Sequence, residues 1–94
     1  MIVVGTRPEI VKMAPVVRAF EARGLPYVFV HCGQHYDYNM SQQFIEELRL
    51  PKPDYGFEVR SSAPGLQTAR IMTVMERAVK EVKPSVVLVE GDTN

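Results

Sequence analysis

Four short runs rich in β-branched and aromatic residues recur along the chain: Ile2-Val3-Val4, Tyr27 to Val30, Tyr55 to Val59 and Val86 to Val89. Between them lie stretches with apolar residues at helical spacing. The first carries Ile10, Met13, Ala14, Val17 and Phe20; the second Phe44, Ile45, Leu48 and Leu50; the third Ile71, Met72, Met75, Ala78, Val79 and Val82. Hairpins need only a few linking residues, whereas parallel strands need a crossover of a dozen or more. The alternation therefore predicts a parallel sheet with right-handed helical crossovers. Strand order 3-2-1-4 follows if two crossovers run outward and the third helix returns over the opposite face. This is an α/β, Rossmann-like doubly wound sheet, and an incomplete one. Val86 to Val89 is apolar on both faces, as a central parallel strand is. Left at an edge it would be a pairing hazard. Residues 1–94 are accordingly expected to be the amino-terminal part of a Rossmann-like domain in a longer protein.

Local signals set the boundaries. Thr6, Pro8 and Glu9 read as the start of a helix, with Thr6 and Glu9 spaced as a capping box and Pro8 suited to the first turn. Pro15 predicts a kink and Gly24 a helix end. The second strand is expected to give way to a loop in the polar run His31-Cys32-Gly33-Gln34-His35. Asn39 or Ser41 can cap the second helix, which Pro51 and Pro53 stop. A loop from Arg60 to Gly65 precedes a third helix from about Leu66, ending before Pro84. Met13, Met72 and Met75 fall on apolar faces and read as core.

Composition narrows the functional classes. Eleven Lys and Arg balance eleven Asp and Glu, so no cationic excess favours a nucleic acid or an anionic membrane. One cysteine, Cys32, excludes an intrachain disulfide framework. No signal-peptide pattern is visible at the start, and no apolar run approaches the ~20 residues a membrane helix needs. A cytoplasmic protein is the expectation.

In an open α/β sheet, ligands bind beyond the carboxyl ends of the strands where the crossover direction reverses. Here that point lies between strands one and four. The turns Gly5-Thr6-Arg7-Pro8-Glu9 and Gly91-Asp92-Thr93-Asn94 should meet there. Free amides at a helix start, with Arg7 and Lys12, suit a phosphate or diphosphate. Asp92 beside them suits proton transfer, hydroxyl binding or metal binding. Each residue also has a plainer reading. Arg7 and Lys12 are then solvated helix residues, Glu9 half of a capping box, and Asp92 a helix N-cap. His31, Cys32 and His35 do not make a metal site, because alternation sends His31 and Cys32 to opposite faces and no fourth ligand is evident. Cys32 reads as a small buried hydrophobe rather than a nucleophile. No Gly-x-Gly-x-x-Gly or Walker-type motif occurs, so a nicotinamide or P-loop site lacks its cradle.

The run Gly5-Thr6-Arg7-Pro8-Glu9-Ile10-Val11-Lys12-Met13-Ala14-Pro15 closely resembles the opening of the non-hydrolysing UDP-N-acetylglucosamine 2-epimerases. Gly33-Gln34-His35-Tyr36-Asp37 with Met40-Ser41 resembles that family too, as does Lys83-Pro84 through Val89 followed by Gly91-Asp92-Thr93-Asn94. The resemblance implies a GT-B-type two-domain fold with the active site in the interdomain cleft, and a homodimer. It implies interconversion of UDP-N-acetylglucosamine and UDP-N-acetylmannosamine without a redox cofactor or metal, by elimination of UDP to a glycal and re-addition. By motif position, Arg7 and Lys12 resemble the basic residues near the UDP phosphates, and Asp92 a catalytic carboxylate. Gln34 and His35 resemble residues lining a regulatory substrate site. The loop from Ser61 to Gly65 departs from the family's Gly/Ser/His pattern. The remaining carboxylates, the histidine and most uridine contacts are expected beyond residue 94, leaving this fragment inactive alone. The alternatives are a hydrolysing epimerase, a glycosyltransferase of the same architecture, or a non-catalytic anion-binding remnant.

Overall fold

The structure is a computed structural model and describes residues 1–34, 43–59 and 63–91. Its elements are β1 (Ile2–Val4), α1 (Arg7–Ala22), β2 (Phe29–Gln34), a short helix α2 over 43–47, β3 (Tyr55–Val59) and α3 (Pro64–Val82). The strands form a parallel sheet with β2 in the centre. Ile2 pairs with Phe29 and Val4 with His31, while Val30 pairs with Tyr55 and Gln34 with Val59.

The register sorts side chains between two faces. Ile2, Val4 and Phe29 face α1, where they are buried with Ile10, Met13, Ala14 and Val17, and Ile45 and Leu50 complete this core. Val30 and Cys32 alternate onto the α3 face. Tyr55 and Phe57 of β3 share that face, and the Tyr55 hydroxyl donates to Glu81 of α3 at 2.9 Å. Asp54 ties β2 to the entry of β3: its carboxylate accepts from the Phe29 N–H, and its own N–H donates to the Phe29 carbonyl, both at 2.8 Å.

The polar run after Val30 is strand, not loop. His31, Cys32, Gly33 and Gln34 all pair with β3, and His31 is wholly buried. β3 runs in register beside the whole run as far as Val59 and supplies its backbone partners, so the polar composition does not end the strand. α1 runs unbroken through the solvent-facing Pro15. It closes in a Schellman turn, with Gly24 at φ 63° and the Leu25 and Gly24 N–H groups donating to the Phe20 and Glu21 carbonyls.

The fourth segment lies beside β1 as expected but forms a single parallel bridge, Ile2 to Leu88, rather than a full strand. The Val3 N–H donates to the Leu88 carbonyl at 3.0 Å and the Leu88 N–H to the Met1 carbonyl at 2.8 Å. Leu88 packs on the core, whereas Val86, Val87 and Val89 are 62 %, 42 % and 67 % exposed. Among the described residues nothing pairs with the far side of this segment. α3 departs from expectation in the same way. Only Gln67 and Ala78 are buried on it, and Met72, read as core, is 65 % exposed. The helix lies over β3 and leaves the β1 side of the sheet partly open.

Lys83, at the C-cap of α3, sits at φ 52° in the left-handed region. That conformation costs a side-chain-bearing residue ~1 kcal/mol or more, and glycine adopts it freely. Lys83→Gly is expected to stabilise the chain by about 0.5–1 kcal/mol, read as a raised denaturation midpoint in urea.

Candidate functional site

The site begins where β1 ends. A Cβ on Gly5 would lie 2.7 Å from the Cys32 carbonyl oxygen and 3.1 Å from Glu9 Oε1. Gly5 is thus required by the close passage of the chain over β2. Thr6 then caps α1, and Glu9 reaches back to it. The Thr6 N–H and hydroxyl both donate to Glu9 Oε1 at 2.9 Å. Glu9 is buried and serves as half of a capping box. This reduces the free amides expected at the turn, since Glu9 takes the Thr6 N–H and Pro8 has none. The positive side chains at this turn are those of Arg7 and Lys12.

Those two cations face different neighbours. The Arg7 guanidinium lies 4.9 Å from the centre of the Phe44 ring on α2, a cation–π contact. Lys12 reaches the other way, its Nζ 3.0 Å from Glu90 Oε1. Lys12 is therefore brought to the segment that precedes Gly91-Asp92, and Arg7 is held on the α2 side of the same helix start. Asp92 and His35 lie outside the described residues. Gln34 ends β2, and its side chain lies outside them as well.

Beside this turn is a cleft of about 500 Å³ on the α3 face. Val3, Gly5 and Cys32 form its floor, Ile71 and Met75 of α3 one wall, and Glu90 and Gly91 its outer rim. Gly5 and Gly91, the first residues of the two turns, line one hollow at the carboxyl end of β1; residues 92–94 lie outside the described residues. A larger hollow of about 700 Å³ lies at the opposite end of the strands, between Phe20, Tyr27, Val82 and Pro84. Its chiefly apolar walls offer no comparable set of charges.

Cys32 opens toward the cleft but is almost fully buried. Burial, and then the negative charge of Glu9, push its thiol up to about 11. Its thiolate population at pH 8 is then roughly 100-fold below that of an ordinary cysteine, which argues against a nucleophile. Iodoacetamide should accordingly modify the folded chain at pH 8 at least ~100-fold more slowly than the urea-unfolded chain. The same shift has a consequence for stability. The unfolded thiol ionises near 9 and the folded one near 11, so its contribution is complete below pH 9 and is lost as pH rises toward 11. Tyr27, raised to about 12 by burial and by its hydrogen bond to Glu21, extends that loss between pH 10 and 12. Among the described residues no group of three or more His, Cys, Asp or Glu is arranged to hold a metal ion. No described helix is long and apolar enough to cross a membrane.

Two members of this constellation escaped the sequence reading. Glu90 sits one residue before the Gly91 turn, so only extending that turn backward by one position would have included it. Phe44 carries no signal that separates it from an ordinary core aromatic.

A family model described as UDP-N-acetylglucosamine 2-epimerase matches residues 18–94. The chain is 43 % identical over 93 residues to the UDP-N-acetylglucosamine 2-epimerase of Methanocaldococcus jannaschii, and 45 % identical to that of Methanococcus maripaludis. It is 41 % identical to a UDP-2,3-diacetamido-2,3-dideoxy-D-glucuronate 2-epimerase of Pseudomonas aeruginosa. These alignments cover 98–99 % of the chain. The crystal structure of the M. jannaschii enzyme in complex with UDP-GlcNAc and UDP superimposes with a TM-score of 0.89 at 42 % identity, over 98 % of this chain and 25 % of that one. The chain spans about a quarter of the length of these relatives. On that likeness of sequence and fold, it belongs to the UDP-N-acetylglucosamine 2-epimerase family.

Proposed function

We propose that this chain forms the amino-terminal part of an enzyme that interconverts UDP-N-acetylglucosamine and UDP-N-acetylmannosamine. The observation that carries the reading is its 43–45 % identity, across nearly all its length, to epimerases of that name. Gly5 and Gly91 lining one cleft at the carboxyl end of β1 support it. In this reading the C2 proton is removed, the C1–O bond breaks and UDP departs with the electron pair, leaving a glycal. A proton then reaches C2 from the opposite face, and the UDP oxygen re-adds at C1. No redox cofactor or metal takes part. Arg7 and Lys12 hold the diphosphate and stabilise the charge that grows on it as it leaves. Asp92 acts as a catalytic carboxylate. Gln34 and His35 line a regulatory substrate site. The rest of a GT-B-type fold closes the cleft, and the whole enzyme is a cytoplasmic homodimer.

The test joins this chain to the remaining three quarters of the M. jannaschii relative and supplies UDP-N-acetylglucosamine. UDP-N-acetylmannosamine is the expected product. Free N-acetylmannosamine with UDP would instead mean a hydrolysing enzyme. A folded hybrid without turnover, beside an active parent, would contradict the proposal. The P. aeruginosa relative supports a second substrate, UDP-2,3-diacetamido-2,3-dideoxy-D-glucuronate. It is an acetamido-sugar on the same UDP, so supplying both compounds separately distinguishes the two readings.

A further inference from the structure

Lys12 and Glu90 are 78 positions apart, yet their charged ends meet at 3.0 Å at the rim of the cleft. The Glu90 side chain is 19 % exposed and that of Lys12 is 53 % exposed. The carboxylate is thus largely fixed, while the ammonium lies at the mouth on a flexible stem. Glu9, the other carboxylate on the cleft among the described residues, is already engaged by Thr6. Glu90 is an acidic group whose charge bears directly on Lys12.

Resting on the reading that Lys12 meets the diphosphate, we propose that Glu90 is a positioning residue that sets how strongly Lys12 draws that anion. Without ligand, Glu90 holds the ammonium at the rim. The diphosphate takes Lys12 in exchange, because a partly exposed pair of single charges is weak and a multiply charged anion outcompetes it. A lysine suits this exchange, being a compact charge on a movable stem. Glu90 stays close after the exchange and repels the diphosphate. It thereby limits affinity at a site that releases and recaptures UDP within one reaction cycle.

UDP titration of the chain at low and high salt, followed by NMR, tests this with Glu90→Gln, Lys12→Ala and the double variant. Glu90→Gln should bind UDP roughly three- to tenfold more tightly at low salt, with the gain shrinking at high salt. The gain should vanish in the Lys12→Ala background. Glu90→Asp, which keeps the charge, should stay within about twofold of the parent and separates charge from shape. Equal or weaker binding by Glu90→Gln would overturn the role of Glu90. If Lys12→Ala weakens UDP binding while Glu90→Gln changes nothing, only this inference fails. If Lys12→Ala changes nothing, or no variant binds UDP, the underlying assignment of Lys12 fails with it.

Discussion

Gly5→Ala is expected to destabilise the chain by about 3 kcal/mol or more, although it adds a single methyl group. The new Cβ would sit 2.7 Å from the Cys32 carbonyl oxygen. That oxygen belongs to backbone in the central strand, with β1 on one side and Phe57 of β3 in register on the other. It cannot rotate away as a side chain would. Relief requires β1 and β2 to part at the one place where the chain turns into α1. Overpacking of a well-ordered interior costs about 1–3 kcal/mol where side chains can adjust, and more where backbone must. Against the ~5–14 kcal/mol typical of a chain this size, such a loss is large. Gly65→Ala is the control. Its Cβ meets nothing within 4 Å and lies in α3, so that variant should be neutral or up to ~1 kcal/mol more stable. Urea denaturation of both variants decides the matter. A Gly5→Ala midpoint within the error of the parent would mean that the turn is not held against β2.

The second large effect concerns catalysis. The 94-residue chain alone should convert no detectable UDP-N-acetylglucosamine, a loss of at least ~10⁴-fold against a complete relative under the same assay. Elimination of UDP requires preorganised charge around the leaving diphosphate in a site closed to water. Here Lys12 is half exposed and paired with Glu90, Arg7 lies over Phe44, and the cleft beside them is open. Water screens both cations. Conversion by the purified chain at a rate near that of a relative would refute the requirement for an enclosing second part. Enzyme purified from a host without 2-epimerase activity excludes contamination.

What could be read from sequence was decided by short-range chemistry. Thr6, Glu9 and Gly24 act within one turn of their own positions, so both ends of α1 were legible, and with them the placement of Gly5, Arg7 and Lys12. Helix–strand alternation was enough to place residues 86–89 beside β1. Features that depend on distant neighbours were not. His31 to Gln34 look like a loop, yet they extend β2 because each of them pairs with β3. Val86 to Val89 look like a core strand, but among the described residues they form one bridge to β1, and Val86, Val87 and Val89 stay exposed. Met72 has the spacing of a core residue, yet it faces solvent on α3. The pairing of Lys12 with Glu90 spans nearly the whole chain. Only the return of the chain to β1 reveals it.

The claim at the centre of this account is that the turn after β1 holds the diphosphate of a UDP-sugar. UDP titration of the chain, followed residue by residue by NMR, tests it most directly. Binding with a Kd of about a millimolar is expected, since few contacts are available on one wall of a cleft. The shifts should be concentrated at Gly5 to Lys12 and at Glu90 and Gly91. Arg7→Ala should weaken binding by about tenfold or more, the worth of one charge-assisted hydrogen bond. Shifts clustered elsewhere, or an Arg7→Ala variant that binds UDP as the parent does, would contradict the account.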